Sequence, residues 1–366
     1  MQREIIPSRQ AVCLMIMFII GSAIVLSPGS SAKQDVWIAI LLAMAVSFPV
    51  YFIYSRLTIM FPGKDLYDIL HILYGNFIGK VLSLAFVWYF FHLGAMVMRN
   101  FSEFIRLVSI PETPQFAITL CMGILCIWAV RAGLEVLARW AGFVLPLLLA
   151  IVLITLLLSM TKIESFSLKP VLYDGLKPVL NGALSVFTFP FAETVVFTTI
   201  LNSLRKTANA YKVYVLSVVI AGLLMLMVSI RNVMLLGFEA SSMLYFPTYA
   251  AVSVINIAEF FQRNEVVVSM TFLLGGFIKV SVCLYAASKG LARVLNITEY
   301  RHLAAPMGLL MMDLSILIYC NIMEMFDWAF NIYSFYALPF QVLLPVVTFI
   351  IALFAAPKLK KKQPKA

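Results

Sequence analysis

Long apolar runs separated by short polar clusters make up nearly the whole chain. Runs able to cross about 30 Å of hydrocarbon fall at 10–31, 36–60, 81–108, 116–130, 141–160, 179–201, 213–237, 266–287, 303–323 and 332–356. They predict ten membrane-spanning helices. The fourth is the shortest, and the third and seventh carry Arg99 and Arg231 near their ends. Two runs are interrupted. The sixth contains Val186-Phe187-Thr188-Phe189-Pro190-Phe191-Ala192-Glu193-Thr194, where proline removes a backbone donor and crowds the preceding turn, so carbonyls near Val186 and Phe187 lose their partners. In hydrocarbon such a break is tolerated only beside protein or a water-filled cavity. The first run carries Gly21-Ser22-Ala23-Ile24-Val25-Leu26-Ser27-Pro28-Gly29, and paired interruptions in two halves point to a transporter-type binding site.

An odd number of spans per half inserts the second half upside down relative to the first. Five plus five therefore predicts an inverted repeat, within a single all-α transmembrane domain covering residues 1–366. Its first repeat is expected at about 10–160, its second at about 179–356, and a basic tail at 357–366. Spans one and six are then partners, both discontinuous. The apolar but interrupted stretch 241–262 predicts an external helix lying across the mouth of the bundle as a lid.

Composition narrows the class. Hydrophobic residues make up 63% of the chain and charged residues 12%, with a mean hydropathy of +0.99. The 27 basic and 17 acidic side chains are too few to coat a soluble fold. Cys13, Cys121, Cys126, Cys283 and Cys320 lie in apolar stretches without metal-like spacing and read as small buried hydrophobes. No hydrophilic stretch is long enough for an extramembrane domain.

Charge gives the orientation, because basic residues are retained on the cytoplasmic side. Most Lys and Arg fall on one side if both termini are cytoplasmic, whereas Glu112, Asp174, Glu239, Glu324 and Asp327 fall outside. The net charge of +10 then needs no nucleic acid, and the tail Lys358-Leu359-Lys360-Lys361-Lys362 holds the terminus inside and touches anionic lipid. Arg3 and Arg9 before an apolar run, with Ser30-Ser31-Ala32 after it, resemble a cleavable signal. The Gly-Ser interruption within that run argues for a retained span.

Ionisable groups at membrane depth are costly and by default functional. Glu193 either accepts backbone N–H groups freed at the break or titrates and binds a substrate amine. Lys279 sits mid-span after Gly275-Gly276, glycines that permit close helix approach. Its ammonium could stand in for a sodium ion, meet a ligand carboxylate, or form a salt bridge with Glu193 or Asp313. Arg99 and Glu103, one turn apart, are expected to pair near the external end of span three. His92 shares a helical face with Tyr89 and Met96, leaving packing and pH sensing open. Asp313 in span nine is expected to pair with another helix. The three histidines form no HExxH, and neither a phosphate-binding loop nor a GxSxG elbow occurs. No enzymatic activity, cofactor or metal is therefore expected.

Ser102-Glu103-Phe104-Ile105-Arg106 followed by Ile110-Pro111-Glu112-Thr113-Pro114, the Gly21 to Pro28 interruption, and Pro190-Phe191-Ala192-Glu193 together resemble the B subunits of bacterial spore germinant receptors. These belong to the spore permease branch of the amino acid-polyamine-organocation superfamily, and the resemblance spans essentially the whole chain. It implies a LeuT-like fold in the inner membrane of a dormant spore, beside an A subunit and a lipoprotein C subunit. It also implies a small germinant, typically an amino acid, held between spans one, three, six, eight and ten. Carried over by position, that pocket would use Gly21, Ser22, Tyr89, Leu93, Phe189, Pro190, Phe191, Lys279 and Cys283. Two departures change the picture. Ala23 stands where such permeases commonly have a second small glycine, and Lys279 stands where sensors of small neutral amino acids are expected to have an uncharged polar residue. The germinant itself therefore does not transfer with the family. A proton-coupled amino acid transporter and a scaffold without a working pocket fit the same fold.

Overall fold

The computed structural model describes residues 4–160, 168–254 and 265–360. Apart from an isolated parallel bridge between Ile6 and Leu204, its regular structure is helical: α1 (Ser8–Leu26), α2 (Val36–Met60), α3 (Leu66–Val108), α4 (Gln115–Ala132), α5 (Leu134–Ser159), α6 (Leu176–Val186), α7 (Ala210–Leu236), α8 (Phe238–Met243), α9 (Pro247–Ser253), α10 (Glu265–Val294), α11 (Arg301–Leu317), α12 (Ile322–Asp327), α13 (Tyr333–Leu338) and α14 (Leu344–Lys360). Nine stretches among the described residues are long and apolar enough to cross a membrane. The ninth expected span is α11, whose 17 residues rise only about 25 Å. The tenth runs from Ile322 through two π-helical turns at Trp328–Ile332 and Pro339–Leu343, ten residues earlier than its apolar run suggests.

α1 is apolar on every side and lies at the centre of the bundle against α5, α7 and α10. It winds without interruption through Gly21 and Ser22. The break expected within 21–29 lies at its far end, where Ser27 and Gly29 have φ of 45° and 90° and a 3₁₀ turn, Ser30–Asp35, leads into α2. Pro28 explains the position, since the residue before a proline is driven from the α region. Gly21 instead serves packing: a Cβ there would come 2.5 Å from the Gly275 carbonyl oxygen, and one on Gly275 would come 2.4 Å from the Gly21 Cα. The two glycines let α1 and α10 touch backbone to backbone.

Span six breaks at mid-length. α6 stops at Val186, Phe189 is extended at φ −134° and ψ 109°, the Phe189–Pro190 peptide is cis, and the chain continues as a tight 3₁₀ coil over Ala192–Thr199. Buried carbonyls here need donors, and other spans provide them. Tyr51 donates to the Phe191 oxygen at 3.1 Å, Tyr214 to Thr194 at 3.3 Å, and Gln341 to Thr188 at 2.8 Å.

α3 starts earlier than its apolar run. Asp65 caps it by accepting from the Asp68 N–H at 2.9 Å, and Gly75, at φ 78°, kinks the helix between this entry turn and the membrane segment. A residue with a Cβ is strained in that left-handed conformation. The expected lid begins as α8 and α9, pinned where Thr248 Oγ1 donates to the Ile24 oxygen at 2.5 Å and accepts from Asn232 Nδ2 at 2.8 Å. Its remainder, 255–262, and the end of the basic tail, 361–366, lie outside the described residues.

Candidate functional site

The end of the bundle that carries the N-terminal residues is tied together by polar contacts. Ile6 exchanges backbone hydrogen bonds with Ser203 and Arg205 at 2.8 and 3.1 Å. Glu4 accepts from the Tyr300 hydroxyl at 2.8 Å and the Leu134 N–H at 3.2 Å. Burial pushes the Tyr300 hydroxyl well above its ordinary range, and the neighbouring Tyr285 and Glu4 push the same way, so it stays a donor. Lys289 bonds the Thr199 oxygen at 2.7 Å and pairs with Asp65 at 3.2 Å; Arg293 pairs with Asp68 at 2.6 Å.

A pocket of about 380 Å³ at this end, lined by Glu4, Gly133, Arg139 and Arg301, shares no residue with the cavities at the opposite end, which reach into the bundle. A vestibule of about 510 Å³ is lined by Ser30, Ser31, Asn181, Ser185, Asn331 and Ser334, together with Lys33, which Asp174 holds at 3.0 Å. Below it, sharing Ser185 and Phe330, a narrow apolar passage runs past Pro28 and Phe189. That passage shares Asn100, Phe189 and Met325 with an inner cavity of about 60 Å³, large enough for several water molecules. The inner cavity reaches Glu193, and Leu93, Trp328 and Tyr333 form much of its wall.

Glu193 follows directly on the break, so the interrupted backbone aims its side chain into the bundle. Tyr333 donates to Oε1 at 2.5 Å, and Lys279 Nζ stands 2.5 Å from Oε2 in a close ion contact. Lys279 also donates to Ser22 Oγ at 3.1 Å, with the Phe189 and Phe18 rings 4.6 and 5.1 Å away, a favourable placement for a cation. Neither Lys279 nor Glu193 is exposed. The polar chain continues from Tyr333 to Tyr89 at 3.3 Å and from Gln341 Nε2 to the Tyr89 hydroxyl at 2.7 Å. One network thus ties α1, α3, span six, α10 and the last span together.

Of the residues singled out in the sequence, Ser22, Tyr89, Leu93, Phe189, Glu193 and Lys279 converge here. Pro190 and Phe191 form the break itself. Others are elsewhere. Gly21 faces Gly275, and Cys283 packs against Gly94, away from the inner cavity. His92 is stacked on Trp88 and edged by Trp328 and Tyr336, a packing position. Arg99 pairs with Glu103 at 2.9 Å and donates to the Ile316 oxygen at 2.8 Å, closing the end of α11.

Asp313 departs from its expectation. It lies on the exposed face of α11 beside Leu309, Leu310 and Leu317 and pairs with no basic residue among those described. The register of α11 explains this, because Met311, Met312 and Ser315 take the inward positions. Tyr333, Gln341 and Phe18 were missed. Pro339-Phe340-Gln341, a proline and an amide inside an apolar run, was the available signal for Gln341; nothing local distinguishes Phe18 or Tyr333 from packing aromatics.

Residues 5–323 match the family described as spore germination protein. The chain belongs to that family. Among its relatives in Bacillus subtilis, spore germination protein KB is 32% identical over 99% of this chain and 98% of its own length, and spore germination protein YndE is 25% identical over 79% and 81%. Two solved transporter structures show the same fold. Mhp1, a nucleobase-cation-symport-1 family transporter with bromovinylhydantoin bound, superposes with a TM-score of 0.69 at 13% identity, covering 98% of this chain and 91% of that one. MhsT in complex with L-phenylalanine gives 0.62 at 14% identity, covering 97% and 90%. This family member is therefore a multi-pass membrane protein with the LeuT fold, in the company of receptors and transporters.

Proposed function

We propose that the chain is the germinant-sensing subunit of a spore germination receptor, binding a small nutrient between spans one, three, six, eight and ten. One observation carries this reading: cavities that share lining residues lead from one end of the bundle to the broken backbone of span six and stop at Glu193, while the pocket at the other end shares no residue with them. Family membership supports the same role. The reading places the protein in the spore inner membrane with both termini cytoplasmic, beside A-type and C-type subunits, and makes the vestibule the outward face. Nutrient binding at the break changes how span six packs on α1 and α10, and that change passes to the partner subunits.

The test is germinant dose-response in spores carrying Lys279→Thr or Glu193→Gln at normal protein level. A shift in sensitivity is expected for both. Unchanged responses in both variants would leave a scaffold subunit. A second reading, a proton-coupled amino acid transporter, is favoured by the Glu193–Lys279 pair beside the broken span, because ionisable groups at membrane depth mark substrate and proton pathways. Concentrative, pH-driven uptake of labelled amino acids by the purified protein in liposomes would establish that reading, and its absence would leave reception.

A further inference from the structure

The outward face of α11 carries a charge that nothing around it answers. Pro306, Leu309, Leu310, Asp313 and Leu317 are exposed and recur at helical spacing, so they form one stripe along the helix. Asp313 stands at mid-depth in that stripe. On the inner face of α11, Met312 fills the space that a Cβ on Gly123 of α4 would need, and Met311 does the same beside Gly94 of α3. Gly123 is the ninth of the 18 residues of α4, and Gly94 falls midway along the apolar run 81–108. About 12 Å of helix therefore separates the level of Asp313 from either end of α4. A carboxylate on so short a side chain cannot reach water over that distance, as a lysine head can.

Ionisable groups at such depth normally face the bundle interior and pair there. Asp313 faces outward and forms no ion pair among the described residues. Arg99, which bonds the Ile316 oxygen of the same helix, is buried and already held by Glu103 at 2.9 Å.

A second observation falls on the same face. α4 and α11 are antiparallel neighbours, since Gly123 meets Met312 and Ile127 meets Gly308. With 18 and 17 residues they rise about 27 and 25 Å, short of the ~30 Å of hydrocarbon, whereas α2 and α5 have 25 and 26 residues. Association with another protein relieves spans too short for their bilayer. Ile124, Leu125 and Trp128 of α4 are exposed as well, so Asp313 is set in an otherwise apolar surface.

We propose that this α4–α11 face is the docking surface for a transmembrane helix of another chain, one that carries a lysine or arginine within its apolar run and pairs it with Asp313. The leucines of the stripe pack around the pair and keep lipid from it. A helix without a cation would leave the carboxylate unanswered, and a second copy meeting the first through the same face would set Asp313 against Asp313. The inference rests on one part of the function proposed above, that the chain works beside other subunits, and is independent of what the cavity binds.

The test uses spores that make the full-length chain together with its A-type and C-type subunits. A photoreactive benzophenone residue is placed at Leu310 or Leu317, or at Leu223 on the exposed side of α7 as a reference, and crosslinked peptides are read by mass spectrometry. The α11 sites are expected to crosslink to an apolar segment of another chain with a lysine or arginine within about one turn of the crosslink, and Leu223 is not. Asp313→Lys should lower retention of that chain on purification by roughly ten-fold or more, and reversing the charge of the residue identified in the partner should restore it. Asp313→Leu, which eases insertion of α11, should lower retention similarly while the amount of this chain in the membrane is unchanged or higher; it decides the matter even if Asp313→Lys fails to insert. If the α11 sites reach only lipid or a second copy, or if retention is indifferent to Asp313→Leu, the inference falls while the subunit reading stands. If Asp313→Leu depletes the chain itself, Asp313 serves its own fold and the inference falls too. If the wild-type protein retains no other subunit, the subunit reading falls and takes the inference with it.

Discussion

Glu103 and Glu193 are both carboxylates without solvent exposure, yet the protein satisfies them in opposite ways. Glu103 sits near the end of α3 among several donors: Arg99 at 2.9 Å, Arg106 at 2.8 Å and the Gln115 amide at 3.4 Å. All are local in sequence, and Arg106 is partly in solvent. Glu193 sits at mid-bundle and depends on one cation from another span, Lys279, with Tyr333 as its other partner. The first arrangement has spare donors and fixes an end of the bundle. The second has none, so any change in its single cation is felt by four spans at once, which suits a position that must report what enters the cavity.

That contrast can be broken in graded steps. Lys279→Ala should have the largest effect, destabilising the protein by about 3–5 kcal/mol because it leaves a buried carboxylate unpaired; thermal unfolding of purified protein in detergent would measure it. Gln341→Leu should come next, at about 1–3 kcal/mol, since the Thr188 carbonyl at the break loses its donor. Arg99→Ala should cost about 1–2 kcal/mol in the same assay, because Glu103 keeps Arg106 and Gln115 while the end of α11 loses a donor. Arg106→Ala should cost less than about 1 kcal/mol, with high salt abolishing the difference, as for a partly exposed pair. The double variant Lys279→Met with Glu193→Leu sharpens the comparison from the other side. It should lie within about 1 kcal/mol of wild type or above it, because an apolar replacement removes both desolvation penalties, while germinant response is lost. Equal costs for Lys279→Ala and Arg99→Ala would show that the two clusters are the same kind of structural clamp.

Much of the architecture follows from local rules that act on a few residues. The bounds of α2 are those of its apolar run, because nothing inside 36–60 except Pro49 disturbs a helix already committed by burial. Pro190 marks a place where span six can open, whereas Pro49, Pro146 and Pro306 lie inside helices that continue through them. The Arg99–Glu103 pair needs only a helical turn. Other features needed information that no local window holds. Gly21 looks like a point of weakness in α1, but Gly275 of α10 turns it into a contact. The segment before Gly75 lies outside the third apolar run at 81–108, yet the Asp65 cap and a positive φ at Gly75 make it a helical entry to α3.

The site divides along the same line. Glu193 and Lys279 were visible because charge in an apolar run is costly wherever it lies. Their pairing was one of several open alternatives, since Asp313 offered Lys279 an equally plausible carboxylate along the chain. Only the rotation of α11, which sends Asp313 outward, and the crossing of α10 over α1 at paired glycines select Glu193. Hydrophobicity and proline chemistry act residue by residue, so the order of residues alone determined that this chain lives in a membrane and marked a proline at which its sixth span could open. Which charge meets which, and from which end of the bundle the cavities reach the break, depends on the relative rotation of helices far apart in sequence, and only the packed structure decided it.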